Sequence, residues 1–174
     1  YGTEICGSCR VMVHGITGDG ARVNLRVRFG ESVSEALTPL GVKNAGCDHA
    51  NRDSVMNVGF LSANETNESG FIYVELLDDD MTVTLKAVQA ILIYRDLDYR
   101  GSFECSDPEI NRIWQTAVYT AHLNMQEYLW DGVKRDRLVW IGDMQTEVMT
   151  ILSVFGAQDV VTRSMDLVRD ETPI

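Results

Sequence analysis

The sequence predicts an antiparallel β-sandwich over residues 1–100, followed by α-helices over residues 101–174. Three observations carry this. Val23, Leu25, Val27 and Phe29 alternate strictly with Arg22, Asn24, Arg26 and Arg28, a period-two pattern with one apolar and one wet face. Short β-branched and aromatic runs, separated by turn signals, fill the first hundred residues. Beyond Gly101 the apolar spacing changes to that of helices.

Taken in order, Arg10–Ile16 reads as a first strand, centred on Val11-Met12-Val13, and Arg22–Phe29 as a second. Val55–Leu61, Phe71–Leu76 and Met81–Tyr94 follow. Turns are expected at Thr17-Gly18-Asp19-Gly20, Asn51-Arg52-Asp53-Ser54, Asn64–Gly70 and Asp78-Asp79-Asp80. Several short strands with regular turns favour a sandwich. Ser106-Asp107-Pro108-Glu109 is a helix start. Either Ser106 caps with Glu109 three residues on, or Asp107 caps with Pro108 at the first helical position. Ile110, Ile113, Trp114, Ala117, Ala121 and Met125 continue at helical spacing, which carries this helix to about Tyr128. Met144, Val148, Ile151, Leu152 and Phe155 mark a second helix with Gly156 as its stop. Val160, Val161, Ser164, Leu167 and Val168 mark a third, with Asp159 near its start. Three helices do not close a core alone. They either pack on the sandwich or open a longer helical domain, and the second is favoured.

The chain has 174 residues, 45% of them hydrophobic and 24% charged, as a globular protein does. Its 15 basic and 26 acidic residues leave a net charge of −11. That argues against nucleic-acid binding, which depends on basic stripes. No apolar run reaches the length of a membrane span, so a soluble protein is expected, with its compartment open. The chain opens at Tyr1 and not at Met, as expected of a processed terminus or an internal fragment. Cys6-Gly-Ser-Cys9 has the spacing of a redox pair or half a zinc site. Cys47 and Cys105 supply no second close pair, and a strand follows Cys9 where a redox motif opens a helix. Free buried thiols or an incidental disulfide are therefore favoured. His14, His49 and His122 form no cluster and read as structural. Asn64-Glu65-Thr66 and Asn67-Glu68-Ser69 match the glycosylation sequon, which has meaning only in a eukaryotic secretory setting.

The chemistry concentrates in Asp131-Gly-Val-Lys-Arg-Asp-Arg-Leu-Val-Trp-Ile-Gly-Asp143. Asp131, Asp136 and Asp143 lie there with Arg135, Arg137 and Trp140. Sugar cleavage by direct displacement needs one carboxylic acid to protonate the leaving oxygen and a second carboxylate to activate water. An indole covers the apolar face of a sugar ring. Asp136 lies between two arginines, so its proton affinity depends on where those side chains point. Asp131 and Asp143 suit grips on neighbouring hydroxyls. Glu147 falls one turn after Asp143 and reads as a surface charge in preference to a further contact. An ordinary structural reading stands beside this one. Asp131-Gly132 makes a turn, Asp143 a helix cap, Trp140 a core anchor, and Lys134–Arg137 a solvated charge run. On spacing alone that reading is the stronger. Trp114 and Trp130 read as core.

Gly101-Ser102-Phe103-Glu104-Cys105-Ser106-Asp107-Pro108, Asn111-Arg112-Ile113-Trp114 and Asp131–Asp143 together resemble the bacterial α-L-rhamnosidases, inverting enzymes of glycoside hydrolase family 78. Gly2-x-Glu4, Leu25–Glu31 and Ser69–Val74 resemble the sandwich domain that precedes the catalytic domain there. The resemblance implies removal of terminal α-L-rhamnose from a glycan or glycoside, with inversion, in an (α/α)6 barrel that needs no metal or organic cofactor. It implies rhamnose contacts at Asp131, Arg135, Trp140 and Asp143, and the general acid at Asp136. The chain departs from the family there: many members read Arg-Asp-Glu-Arg, and this chain reads Arg-Asp-Arg, with Asp136 one methylene shorter than Glu. Misplacement by about an ångström can cost roughly a hundredfold in rate. The family's general base lies beyond residue 174. The expectation is therefore a fragment, the preceding sandwich and the first barrel helices, inactive when isolated. The alternative is a non-catalytic carbohydrate-binding β-sandwich module with a helical appendage.

Overall fold

The computed structural model describes residues 1–43, 52–59, 63–67, 70–134 and 137–172. These form two compact units, Tyr1–Ile93 and Tyr94–Ile174. The first holds six strands and one short helix; the second holds three helices.

The strands of the first unit are β1 (Gly7–Thr17), β2 (Arg22–Gly30), β3 (Asp53–Gly59), β4 (Ala63–Asn67), β5 (Phe71–Leu76) and β6 (Thr82–Leu92). They make two antiparallel sheets, ordered β4-β1-β6 and β3-β2-β5. Both sheets supply one apolar core. Cys9, Val11 and Val13 come from β1, Val23, Leu25, Val27 and Phe29 from β2, and Met56 and Val58 from β3. The alternation that announced β2 is the cause: each second residue turns inward, and each buried aliphatic or aromatic side chain contributes about 1.5–3 kcal/mol.

The outer face of β2 is wet at Arg22 and half-covered at Asn24 and Arg26, as a wet face should be, but closed at Arg28. β2 is the central strand of its sheet, and Arg28 is buried there. Its guanidinium lies 4.5 Å from the centre of the Tyr73 ring, donates to the Leu37 carbonyl at 3.0 Å and approaches Glu75 at 3.9 Å. Arg26 pairs with Asp53 and Glu75 at 3.5 and 3.6 Å.

Two further differences have a common source. Helix α1 (Val33–Leu37) was not read from the sequence, although Ser32-Val-Ser-Glu35 carries a capping box. Ser32 Oγ accepts from the Glu35 amide at 3.2 Å, and the Glu35 carboxylate accepts from the Glu31 amide at 2.9 Å. Of the turn expected at Asn51–Ser54, Arg52 leads into β3 and Asp53 and Ser54 lie inside the strand, while Asn51 lies outside the described residues. Arg52 is wholly buried, and its Nη1 donates to the carbonyls of Glu35 and Thr38 at 3.0 and 3.1 Å. One guanidinium thus satisfies the open end of α1. Likewise, Asn64–Asn67 of the turn expected at Asn64–Gly70 lie in β4, which pairs with Ser8–Met12 as an edge strand, while Glu68 and Ser69 lie outside the described residues. Polar composition suits an edge. Leu61, the expected end of β3, lies outside the described residues. Gly70 has φ +85°, and a Cβ there would meet the Gly30 carbonyl oxygen, so only glycine fits. Cys6 and Cys9 are buried and joined in no disulfide, and burial pushes Cys9 up to about 11. Cys47 and His49 lie outside the described residues.

In the second unit, α2 spans Pro108–Asn124, α3 Met144–Val154 and α4 Gln158–Glu171. Asp107 is the cap of α2: its carboxylate accepts from the Glu109 amide at 2.8 Å, with Pro108 in the first turn. The helix stops at Asn124, short of Tyr128, because Met125 and Leu129 pair across a tight reversal. The core joins Val118, Met125, Leu129, Ile151, Val154, Phe155, Ala157 and Val160, with Trp114 packed against it. The buried face of α2 is set by Val118, His122 and Leu123, so Ile113, counted above with the apolar face, is 61% exposed. Leu152 is likewise exposed on α3. No helix among the described residues is long and apolar enough to cross a membrane.

Arg52 Nε also lies 3.8 Å from the Glu35 carboxylate, so replacing Arg52 with Met removes both the donors for α1 and this ion pair. Chemical denaturation is expected to show a loss of about 3–5 kcal/mol, the usual cost of removing one member of a buried ion pair.

Candidate functional site

Residues 125–143 join α2 to α3 and are longer than the roughly 12–15 residues beyond which unstructured connections are uncommon and usually functional. Their backbone is held by specific partners. The Gln126 amide donates to the Tyr128 carbonyl at 3.0 Å, and the Trp130 amide to the Asn124 carbonyl at 3.0 Å. The Leu129 amide donates to Ser164 Oγ at 2.8 Å, while that hydroxyl donates to the Val160 carbonyl at 2.8 Å. Ser164 is fully buried on α4. The Asp131 amide donates to the Leu138 carbonyl at 3.0 Å, closing the run into a loop.

Within this loop the expected site residues separate. Asp131 is half-buried at the start of the closed run. Arg135 and Asp136 lie outside the described residues. Trp140 is 47% exposed, which removes the core-anchor reading. Asp143 stands at the start of α3, but its carboxylate makes no cap hydrogen bond; its carbonyl accepts from the Thr146 and Glu147 amides at 3.2 and 3.4 Å. The side chain is exposed. Nor is the Lys134–Arg137 run simply solvated. Lys134 is buried, and Arg137 Nε donates to the Val133 carbonyl at 2.8 Å.

Glu147 is the residue that the sequence undervalued. It is half-buried and lines a cavity of about 360 Å³ between α2 and α3, together with Ala117, Thr120, Asn124 and Thr150. Burial and the charges of Asp143 and Asp131 raise its proton affinity above the ordinary value for Glu. Three carboxyl groups thus influence one another at the opening of α3. The signal available in sequence was the one-turn spacing from Asp143, which could not show that this face of α3 turns toward α2.

The segment ahead of α2 is pinned by His122, which is buried. Its Nε2 lies 2.7 Å from the Arg95 carbonyl, which can only accept, so Nε2 carries the proton. The hydroxyls of Tyr94 and Tyr99 lie 2.8 and 2.6 Å from Nδ1. Burial, then the Tyr94 hydroxyl, pushes the Tyr99 phenol upward. Arg95 donates to the Gln126 carbonyl at 3.0 Å and pairs with Asp159. His122 is therefore structural. No group of three or more His, Cys, Asp or Glu among the described residues is placed to hold a metal ion.

The first long loop of the helical unit thus presents Asp131, Asp143 and the exposed indole of Trp140, residue types that sugar chemistry uses. Residues 98–173 match the model of the bacterial alpha-L-rhamnosidase 6 hairpin glycosidase domain. An alpha-L-rhamnosidase of Formosa agariphila is 24% identical over 102 residues, which are 59% of this chain and 11% of that protein. Two solved structures share the fold. A rhamnosidase from Klebsiella oxytoca with rhamnose bound gives a TM-score of 0.75 at 21% identity, over 94% of this chain and 33% of that one. A family 78 rhamnosidase of Bacillus sp. GL1 gives 0.76 at 19% identity, over 99% of this chain and 18% of that one. The chain thus spans a third or less of each of these relatives.

Two measurements probe this geometry. Ser164→Ala leaves the Leu129 amide without its acceptor and is expected to cost about 1–3 kcal/mol in denaturant unfolding. Glu147→Gln tests the carboxyl cluster. The native state holds the Glu147 proton more tightly than the unfolded chain, so the wild type loses stability as pH rises from about 4.5, the ordinary Glu value, through the raised native value. The Gln variant lacks that loss. Its melting temperature is expected to exceed the wild type's at pH 7 and to converge with it below pH 4.5.

Proposed function

We propose that the protein carrying these residues hydrolyses terminal α-L-rhamnose from rhamnosides or rhamnose-containing glycans, with inversion. The observation that carries this reading is the family match over residues 98–173, which contains the loop presenting Asp131, Trp140 and Asp143. The relatives' names support rhamnose as the sugar. On this reading the three helices open an (α/α)6 barrel, and the first unit is the preceding β-sandwich.

In the proposed mechanism Asp136 is the acid that protonates the leaving oxygen. Asp131 and Asp143 accept hydrogen bonds from rhamnose hydroxyls, Arg135 donates to them, and Trp140 covers the apolar ring face. The carboxylate that activates water lies outside the 131–143 run, so this run is one wall of the pocket. Carboxylates and water complete the chemistry, and no step calls for a cofactor.

The test is turnover of an aryl α-L-rhamnoside by the full-length protein, with the first-formed anomer read by NMR. Asp136→Asn is expected to lower kcat by about 10²–10⁴, the usual contribution of a general acid. Trp140→Ala is expected to raise KM. Binding of rhamnosides without any hydrolysis would replace the enzyme reading with that of a carbohydrate-binding module. Unchanged activity in Asp136→Asn would remove Asp136 from the acid role.

A further inference from the structure

A second cavity, of about 180 Å³, opens in the helical unit beside the carboxylate loop. Tyr128, Trp130 and Trp140 supply aromatic walls, and Arg137 and Glu171 are its charged members. We propose that this cavity binds the ring joined to the rhamnose through the scissile bond, a hydroxyl-bearing sugar or phenolic ring. The inference rests on the rhamnosidase reading above and deepens it by assigning the leaving-group side.

Four observations support it. Trp140, the proposed cover of the rhamnose, also lines this cavity, so the two rings would be neighbours. The volume falls below the roughly 300–1,000 Å³ of sites for drug-sized ligands and suits a single ring. Aromatic walls fit the apolar face of such a ring, while a guanidinium donates to its hydroxyls and a carboxylate accepts from them. Finally, Arg137 has φ +51°, a left-handed backbone that a non-glycine residue rarely adopts. In this conformation its guanidinium carbon stands 5.7 Å from the centre of the Trp130 ring, with Nε held by the Val133 carbonyl. Backbone outliers of this kind cluster at ligand clamps. Glu171 arrives from the last turn of α4, a separate element, so the cavity is built from two parts of the unit.

The experiment compares three substrates of the full-length protein: methyl α-L-rhamnoside, an aryl α-L-rhamnoside and a rhamnosyl-glucose disaccharide. In Trp130→Ala, the ratio of kcat/KM for either ring-bearing substrate over the methyl glycoside is expected to fall at least tenfold. Trp130→Phe, which keeps a platform, should recover most of it and controls for folding. Glu171→Gln should lower the ratio for the disaccharide more than for the aryl substrate, which offers fewer hydroxyls. Equal losses on all three substrates, or no loss, would overturn the proposal. A wild type inactive on all three would sink the rhamnosidase reading instead. In that event saturation-transfer NMR with phenol and methyl β-glucoside still decides the cavity. Signal in the wild type that disappears in Trp130→Ala upholds a ring site, and no signal overturns it.

Discussion

The helical unit depends on one constraint: the described residues of 125–143 lie outside every helix and named strand, yet part of their backbone is buried. Every buried amide or carbonyl needs a partner. Ser164 meets this need from α4 by accepting from the Leu129 amide and donating back into its own helix. Asn124, Leu138 and Arg95 supply the other partners through the Trp130 amide, the Asp131 amide and the Gln126 carbonyl. With these bonds made, Leu129 can sit in the core while Asp131, two residues on, stays within reach of solvent. The loop is a surface feature anchored at its base, so the carboxylates and the indole are carried on a scaffold that does not include them.

The same logic extends backward along the chain. His122 on α2 holds the Arg95 carbonyl, and Arg95 in turn holds Gln126 and Asp159. The amides of Arg100 and Gly101 both donate to the Val154 carbonyl, and a Cβ at Gly101 would strike the Ser153 carbonyl oxygen. Gly101 opened the sequence stretch that resembled a known family, and this close approach gives it a physical reason. Residues 94–101 thus belong to the helical unit by their hydrogen bonds, although their composition continues that of the strands.

What was legible followed from periodicity and local chemistry. The alternation of Val23 to Phe29, the Asp107-Pro108 start of α2 and the spacing of α3 and α4 each announce their element from within. What was hidden depended on partners distant in sequence. Arg52 reads as a turn residue until α1 presents carbonyls for it. The polar residues of Ala63–Asn67 read as a loop until β1 offers them a ladder. Arg28 reads as solvated until Tyr73 and Leu37 enclose it. At the site, Asp131, Trp140 and Asp143 were visible as types in a run, because the motif is contiguous. Glu147 was not, because its part in the cluster depends on how α3 faces α2. Arg135 and Asp136 lie outside the described residues, so their assignment rests on the resemblance.

Glu147 also reports on the field at the loop. Its proton affinity is raised first by burial and then by the charges of Asp143 and Asp131, which make the opening of α3 electronegative. Such a field does not repel a neutral sugar. It favours retention of a proton on a nearby carboxyl group, as a general acid requires. It also favours positive charge. In glycoside hydrolysis the transition state resembles an oxocarbenium ion, whereas the bound sugar is neutral. Fixed carboxylates therefore stabilise the transition state more than the ground state, and only such differential stabilisation accelerates the chemistry. On the proposed hydrolase reading, the repulsion that these carboxylates impose on the folded protein is the counterpart of that stabilisation.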